Sequence, residues 1–337
     1  MKNAKKTFLI AEIAQAHEGS LGIAHSYIDA LSKTGVDAIK FQTHIAEAES
    51  SEYEKFRVKF SYEDDTRFDY WKRMEFTLDQ WIGLKKHCDE VGIEFISSPF
   101  SSSAVDLLEK VGVKKYKIGS GEVNNRLLID KICKTGKEVF ISSGMSSYEE
   151  LDEAISWINL HQNRLSVFQC TTNYPTRPEE WGLNVIQEMK SRYRLPVGFS
   201  DHSGEIYASL SAITLGAELL EFHAVFNKEM FGPDTKSSLT IKQVVQLVKG
   251  VRQIEEATHE NVDKNQNQKF SEFKDNFGKS LCVNKDLEAG HIIIFEDLES
   301  KKPRNKGVDA SLYLDVVGKP LKNDIYKWNF LNYSDLV

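Results

Sequence analysis

The sequence lacks several features that would place a protein in one of the specialised classes. No stretch of its 337 residues approaches the roughly 20 apolar side chains that a membrane-spanning helix requires. A formal net charge of −7 argues against a nucleic-acid-binding protein, because such proteins usually carry a basic face. No low-complexity tract indicates disorder, and hydrophobic residues make up 41% of the chain, which is sufficient for a core.

Cysteine is scarce as well. The four cysteines, Cys88, Cys133, Cys170 and Cys282, show no Cys-x-x-Cys spacing, so we expect neither a disulfide framework nor a cysteine-zinc site. A reduced, cytoplasmic enzyme is the simplest interpretation. The N-terminal segment MKNAKKTFLIAEIAQA faintly resembles a secretory signal, but Glu12 interrupts its short apolar run. We interpret this segment as the first strand of a barrel.

Up to about residue 260, short apolar segments alternate with amphipathic segments of helical length. Eight such units in an α/β chain of this size predict a (β/α)8 TIM barrel over residues 1–260. A doubly wound sheet would show the same alternation, but the absence of a Gly-rich first turn favours the barrel. The candidate strands are FLIAEIAQ, AIKFQTH, EFISSP, YKIGSGE, EVFISSG, LSVFQCT, PVGFSDH and LLEFHAVF.

Three segments depart from this alternation. Residues 45–76 form a charged insert after the second strand, and loops of that length are usually functional lids or packing arms. The polar stretch from 255 to 276 predicts a domain linker, which we place at residues 261–278. Residues 279–337 then show short strands and turns, which predicts a small mixed domain.

Polar residues end almost every candidate strand. Because the carboxyl ends of barrel strands converge on one face, where active sites lie, these residues predict an active site at that face. Packing alone does not explain them, since buried polar side chains are costly unless they are paired. They are Glu12, Gln15, Lys40, Gln42, His44, Ser97, Ser98, Lys117, Ser120, Glu122, Ser142, Ser143, residues 171–174 and 200–202, Glu221 and His223.

Two of these residues, His202 and His223, lie near the ends of consecutive strands with carboxylates close by. A single strand histidine is more often a hydrogen-bonded core residue, but the pair favours a catalytic divalent ion over a closed zinc site. Asp201 and Glu221 either orient the imidazoles or cap neighbouring turns. No role follows from the sequence for His44.

Lys40 and Lys117 each need an anionic partner, because their ammonium groups would be buried. The partner is either an internal carboxylate or a bound phosphate or carboxylate, and the IGSG and SSG turns favour a bound anion. Glu12 and Glu122 are either acid–base groups or ion-pair partners, and the sequence leaves both open. The serine run SSPFSSS lacks a nucleophile elbow, which argues against a serine hydrolase.

The barrel carries a series of segments in order: AEIAQAHEGS, IKFQTH, FISSPFS, YKIGSGE, ISSGM, TTNYPT, GFSDHSG and GPDTKSSL. Together they resemble the N-acetylneuraminate (sialic acid) synthase family, which includes legionaminic and pseudaminic acid synthases and the spore-coat polysaccharide protein E group. The match covers the barrel nearly end to end, and the tail resembles the family's antifreeze-like (SAF) domain. The ordered series is more specific than any single motif.

The resemblance implies a condensation of phosphoenolpyruvate with an N-acetylated amino-sugar aldehyde, giving a nine-carbon 2-keto-3-deoxy acid and phosphate. It also implies a divalent metal, typically Mn2+ with Mg2+ or Co2+ as alternatives, and a domain-swapped homodimer without nucleic-acid or membrane partners. The residues that match family positions are His202 and His223 for the metal; Lys40, Ser98, Lys117, Ser120, Ser142, Asn173 and Ser200 for phosphoenolpyruvate; Gln42, Tyr174 and Asp234 for the sugar; and Glu12 and Glu122 for acid–base catalysis, with Glu122 also on the sugar side.

Some positions depart from the family pattern. Asn173 lies one place later than the usual asparagine. In the small domain, Lys302 stands where the family usually has the arginine of an Arg-Pro-Gly segment that reaches the sugar, and Arg304 replaces its glycine. Because arginine and lysine differ in hydrogen-bond geometry, the acceptor sugar stays open.

Two other functions compete with this one. A related barrel aldolase or lyase acting on a keto-acid sugar would keep the same residues, with Lys40 or Lys117 forming a Schiff base. An inactive carbohydrate-binding paralogue is the non-enzymatic alternative. The presence of both histidines, both lysines and both glutamates argues against that paralogue.

Overall fold

The computed structural model describes residues 6–56, 60–260, 262–266 and 268–337. The chain divides into two compact units, Met1–Glu260 and Asn261–Val337. Among the described residues, no helix has both the length and the apolar character needed to cross a membrane.

Each of the eight candidate strands forms a strand of the first unit. Short β-branched and aromatic runs form these strands, and nearly all of their residues are buried. The strands are β1 (Phe8–Ala14), β2 (Ala38–Thr43), β3 (Glu94–Pro99), β4 (Lys115–Ile118), β5 (Glu138–Ser142), β6 (Leu165–Cys170), β7 (Val197–Asp201), β8 (Leu219–Val225) and the short β9 (Leu239–Thr240).

Parallel pairing closes β1 to β8 into a barrel. Each of these strands pairs with the next along the chain, and β1 pairs with β8, which places Glu12 opposite His223. The two-residue strand β9 pairs in parallel with the last residues of β8. The predicted (β/α)8 barrel is therefore confirmed.

Amphipathic helices cover the outside of the barrel. Side-chain caps begin several of them; the Thr77 hydroxyl, for example, accepts a hydrogen bond from the backbone N–H of Gln80, and the backbone N–H of Thr77 donates to the side chain of Gln80. The helices of this unit are α1 (Leu21–Ser32), α2 (Ala46–Glu49), α3 (Arg67–Met74), α4 (Leu78–Val91), α5 (Ser102–Val111), α6 (Arg126–Cys133), α7 (Tyr148–Leu160), α8 (Leu183–Tyr193), α9 (Ile206–Thr214) and α10 (Ile241–His259).

An apolar layer fills the interior of the barrel. Its members come from six different strands and range in size from Ala38 to Phe140 and Phe168. This layer excludes water beneath the carboxyl ends of the strands. The polar side chains above it therefore lie against an apolar surface that is closed to water.

The predicted insert between β2 and α4 folds against the barrel. It contains α2 and α3, and Tyr70, Trp71 and Met74 form a small buried cluster there. The guanidinium of Arg73 binds Asp64 at 2.8 Å within the insert and Glu18 at 3.0 Å in the turn after β1. These ion pairs attach the insert to the rim of the barrel. Residues 57–59 of the insert lie outside the described residues.

The second unit has its own small core, built from residues such as Leu281, Val283 and Leu331. It contains the helix α11 (Ser271–Phe277) and the antiparallel strands β10 (Ser280–Val283) and β11 (Leu298–Lys301). The segment expected to be a linker, residues 261–278, thus includes α11. Within that segment, residues 261 and 267 lie outside the described residues.

Candidate active site

The carboxyl ends of the strands open into a cavity of about 800 Å3. Residues after β1 to β6 and after β8 line it, together with side chains from the insert. A concave site at this end of a parallel barrel is where enzymes of this architecture carry out chemistry. Six of the residues that the family resemblance assigns to metal, substrate or catalysis line this cavity, namely Gln42, Ser120, Glu122, Tyr174, His223 and Asp234.

Two buried lysines lie beneath this cavity, and both are ion-paired. The Nζ atom of Lys117 is 2.8 Å and 2.9 Å from the two carboxylate oxygens of Glu221. The Nζ atom of Lys40 binds the carboxylate of Glu12, lies 3.8 Å from that of Glu221, and donates to Ser98 at 3.3 Å. Of the two interpretations that the sequence left open, the internal ion pair is therefore present.

Burial and these ion pairs shift the pKa values of Lys40 and Glu221 in opposite directions. Burial lowers the pKa of Lys40 below its ordinary value, while the carboxylate of Glu221 favours the charged ammonium. Burial alone would raise the pKa of Glu221, but Lys117 and Lys40 together hold it below the ordinary value. The carboxylate thus stays ionised between two cations.

The strand-end serines surround this charged group. Ser200 donates to Glu221 at 3.0 Å, and Ser142 is 3% exposed at the end of β5. Ser120 accepts a hydrogen bond from the backbone N–H of Gly144 at 3.0 Å. A Cβ atom on Gly144 would lie 2.3–2.6 Å from neighbouring side chains, including that of Ser120, so the close approach of the two loops requires glycine.

His202 and His223 lie side by side at the rim, with ring centroids 5.3 Å apart. Burial lowers the pKa of His202 to about 4, and burial together with the neighbouring His202 lowers the pKa of His223 well below its ordinary value. Both rings are therefore neutral near pH 7. The Nδ1 atom of His202 donates to the carbonyl oxygen of Thr171 at 2.9 Å, which leaves Nε2 as an acceptor beside the Tyr174 hydroxyl at 3.2 Å.

Asp201 and Glu221 have other partners than these rings. Asp201 accepts hydrogen bonds from the backbone of Ser203 at 2.8 Å and the hydroxyl of Ser209 at 2.6 Å, so it caps the turn before α9. Glu221 binds Lys117, as described above. The hydrogen bond to the carbonyl oxygen of Thr171 fixes the orientation of the His202 ring.

His202 and His223 together fit a divalent ion whose other coordination positions are open to further ligands. Two neutral imidazoles are suitable ligands for Mn2+ and related metals. Within the described ranges, no group of three or more His, Cys, Asp or Glu side chains is arranged to hold a metal ion. An ion at His202 and His223 would therefore complete its coordination with water and substrate oxygens, as in a catalytic site.

The sugar-side candidates lie on the opposite wall and at the rim. The pKa of Glu122 is raised, first by burial and further by the charge of Glu49, although Asn125 donates to its carboxylate at 2.7 Å. Tyr174 stacks on His202 with ring centroids 4.2 Å apart. Asp234 lies 3.9 Å from the Nδ1 atom of His223. The cavity thus brings a protonatable carboxyl and an aromatic hydroxyl near the two histidines.

Three of the predicted residues are not part of this group. Asn173 is exposed and donates to Glu180 at 2.8 Å, while its neighbour Thr172 lines the cavity. Lys302 and Arg304 lie in the second unit. There, Arg304 binds Asp309 at 2.6 Å, and Lys302 lies 4.9 Å from the ring centroid of Phe277.

The insert contributes cavity residues that the sequence pattern did not identify. Glu49, Glu54, Arg67 and Trp71 all line the cavity from this side. The length of the insert indicated a functional segment, but no periodicity distinguished its inward-facing residues. Phe100, which follows β3, also lines the cavity.

The fold and this site define a class: (β/α)8-barrel enzymes with a small-molecule active site at the carboxyl ends of the strands. The family model described as the NeuB family matches residues 27–263. The chain belongs to the NeuB family, and the sequence-based resemblance to sialic acid synthases is confirmed.

Two named relatives align with this chain along nearly its whole length. The N,N'-diacetyllegionaminic acid synthase of Campylobacter jejuni is 32% identical over 321 residues, covering 94% of this chain and 96% of the relative. The N-acetylneuraminate-9-phosphate synthase of Homo sapiens is 31% identical over 322 residues, covering 93% and 88%. The protein is accordingly an enzyme of the sialic-acid-synthase type.

A solved structure shows the same architecture. The N-acetylneuraminic acid synthetase of Leptospira borgpetersenii, in complex with citrate, superposes with a TM-score of 0.71 at 27% identity. The superposition covers 81% of this chain and 95% of that one.

Proposed function

We propose that the protein condenses phosphoenolpyruvate with an N-acetylated amino-sugar aldehyde, giving a nine-carbon 2-keto-3-deoxy sugar acid and phosphate for surface polysaccharide biosynthesis. The observation that carries this proposal is the arrangement of Lys40 and Lys117 beneath the cavity, beside strand-end serines and two neutral histidines. The relatives' names support the same class of product, since they are legionaminic and sialic acid synthases.

The anionic substrate would lie over the lysines. An ammonium group has three N–H donors, and two of those of Lys117 face Glu221. A third donor remains for a phosphoryl or carboxylate oxygen, and the hydroxyls of Ser120, Ser142 and Ser200 add uncharged donors. Because these groups stand on rigid strand ends, the enol carbon would be held in one orientation toward the acceptor.

In the reaction, C3 of phosphoenolpyruvate forms a bond to the aldehyde carbon, and the aldehyde oxygen becomes a hydroxyl by gaining a proton. Water adds to C2, which has developed positive character, and phosphate leaves from the resulting tetrahedral carbon. Glu122, whose pKa is raised by burial, is suited to donate the proton to the aldehyde oxygen. We propose Glu12 as the acceptor of a proton from the attacking water, with Lys40 and the backbone N–H of Ala14 holding its carboxylate in place.

A divalent ion held by His202 and His223 would supply Lewis acidity at the aldehyde oxygen. The chain's own contribution is to keep both imidazoles neutral, because burial lowers their pKa values. We propose Mn2+ as the ion, with Mg2+ and Co2+ as alternatives.

We further propose that the second unit is an antifreeze-like domain, that it serves the partner's active site in a domain-swapped homodimer, and that the enzyme is cytoplasmic. Phe273 and Phe277 on α11 are 60% and 64% exposed, which supports an interface on this unit. The four cysteines are all buried and unpaired, in keeping with a reducing compartment. In this arrangement Lys302 and Arg304 would face the acceptor sugar.

The test is phosphate release from phosphoenolpyruvate in the presence of Mn2+, with N-acetylmannosamine, its 6-deoxy and 2,4-diacetamido relatives, or no sugar. We expect release that depends on one of the sugars and stops with EDTA. Release without any sugar would contradict the proposal, and trapping by borohydride on Lys40 or Lys117 would favour an aldolase. Mass spectrometry of the product would identify the acceptor.

A further inference from the structure

His44, which the proposed chemistry does not use, is enclosed between two aromatic rings. It directly follows β2 and is 4% exposed. Its ring stacks on Trp71 of α3, with centroids 3.9 Å apart, and on Phe100 after β3, at 4.6 Å. The interplanar angles are 19° and 11°, so the three rings form a nearly parallel stack. The stack fixes the plane in which the two ring nitrogens of His44 lie.

Each ring nitrogen of His44 faces a polar partner. The Nδ1 atom is 2.6 Å from a carboxylate oxygen of Glu49 on α2. The Nε2 atom is 3.0 Å from the side-chain nitrogen of Gln15 and 3.2 Å from the side-chain oxygen of Gln42. The same amide nitrogen of Gln15 also donates to the oxygen of Gln42.

These contacts are consistent with one arrangement of protons. A carboxylate only accepts, so Nδ1 carries a proton, and the amide nitrogen of Gln15 only donates, so Nε2 accepts. The NH2 group of Gln15 then bridges two acceptors, Nε2 of His44 and Oε1 of Gln42, which explains why those two atoms lie 3.2 Å apart. Because its oxygen is committed to Gln15, the NH2 group is the part of the Gln42 amide that can donate to a molecule in the cavity, which Gln42 lines.

We propose that His44 is a positioning residue that, with Glu49 and Gln15, holds the amide of Gln42 so that its NH2 group donates to an oxygen of the acceptor sugar. The inference rests on the proposed function, in which Gln42 is on the sugar side. It also assigns a role to the insert, which supplies Glu49 and Trp71. A hydroxyl or carbonyl oxygen is the sugar group that such a donor recognises.

The arrangement of protons is tested first, by a measurement that does not depend on activity. In protein labelled with 15N-histidine, the ring of His44 should show the chemical shifts of a neutral imidazole protonated at Nδ1. Glu49→Gln should change this pattern, because it replaces the charged acceptor at Nδ1. The opposite tautomer in the wild type, or no response to Glu49→Gln, would overturn the proposal.

The kinetic test uses His44→Phe, which keeps an aromatic ring in the stack and removes both nitrogens. We expect the KM for the acceptor sugar to rise about tenfold, with the KM for phosphoenolpyruvate within about twofold of wild type. Gln42→Ala should have a similar effect. The double variant should be no worse than Gln42→Ala alone, because both changes remove one interaction.

The controls separate this role from a structural one and from the proposed function itself. His87→Phe changes a half-buried histidine on the outer helix α4 and should leave both KM values unchanged. Additive effects in the double variant, or equal rises in both KM values for His44→Phe, would overturn the positioning role. If the wild type releases no phosphate with any sugar, the proposed function fails, while the 15N measurement still decides the arrangement around His44.

Discussion

Lys117 and Glu221 form an ion pair across the interior of the barrel, with the ammonium nitrogen 2.8 Å from one carboxylate oxygen and 2.9 Å from the other. They come from β4 and β8, which stand on opposite sides of the eight-stranded ring. Both side chains are almost completely buried. Such a pair depends on the presence of both partners, because a single buried charge is far more costly than none.

The first prediction follows from that dependence. Glu221→Gln should lower the free energy of unfolding by about 3–5 kcal/mol, because it leaves the ammonium of Lys117 without its charged partner. Ser200→Ala, which removes one hydrogen bond to the same carboxylate, should cost only about 1 kcal/mol. Urea denaturation followed by tryptophan fluorescence measures both. Equal stability of Glu221→Gln and the wild type would show that the pair contributes no net stabilisation.

The second prediction concerns the packing beneath the lysines. Lys117 lies 4.5 Å from the ring centroid of Phe168, and a Cβ atom added to Gly198 would lie 2.6–2.9 Å from that ring. Gly198→Ala should therefore destabilise the barrel by about 1–3 kcal/mol through overpacking. Gly83→Ala is the matched control, since a Cβ there meets nothing within 4 Å and α4 should gain about 0.5–1 kcal/mol in stability. A neutral effect of Gly198→Ala in thermal denaturation would contradict the close contact.

The third prediction concerns pH. Burial is the main cause that lowers the pKa of His17 to about 3, and the charge of Arg73 acts in the same direction. The unfolded chain, with an ordinary histidine pKa of about 6.5, therefore binds more protons than the folded chain between these values, and stability falls as the pH falls. At pH 5, His17 should lower the free energy of unfolding by about 2 kcal/mol relative to pH 7.

Urea denaturation of EDTA-treated protein at pH 7 and pH 5 checks this effect. His17→Gln should reduce the pH-dependent loss by about 2 kcal/mol. His259→Gln, which changes an exposed histidine at the end of α10, is the control. The same loss in His17→Gln as in the wild type would mean that His17 does not stay neutral in the folded protein.

The fourth prediction concerns the metal. His202→Ala and His223→Ala should each weaken Mn2+ binding by at least about 100-fold, because each removes one of two proposed nitrogen ligands. Both variants should also lose sugar-dependent phosphate release. His25→Ala, a histidine of α1, is the control. Calorimetric titration of Mn2+ into EDTA-treated protein gives the affinities, and unchanged binding in either ligand variant would place the ion elsewhere.

The fifth prediction concerns assembly. We expect light scattering at micromolar concentration to give the mass of a dimer, as the proposed domain swap requires. Phe273→Ser combined with Phe277→Ser should shift the protein toward the monomer, because it removes exposed apolar area on α11. A monomeric wild type would contradict the domain swap.

Much of the architecture could be predicted from the sequence. The eight short apolar runs became β1 to β8 because strand length and helix-length spacing are local properties of the chain. The polar residues at their ends were recognisable because they interrupt those runs. Residues of the insert, such as Arg67 and Trp71, were not recognised as part of the cavity, because an irregular segment has no period that marks its inward face.

The sequence by itself determined which side chains stand at the carboxyl ends of the strands, and the order of its motifs determined the family. Only the tertiary structure decided their partners. Lys117 meets Glu221, 104 positions away, because the ring closes with a defined register. His44 acquires its aromatic stack only when the insert folds back over β2 and β3. Such contacts, and the burial that lowers the pKa values of the histidines, depend on how distant segments pack together, which no local pattern encodes.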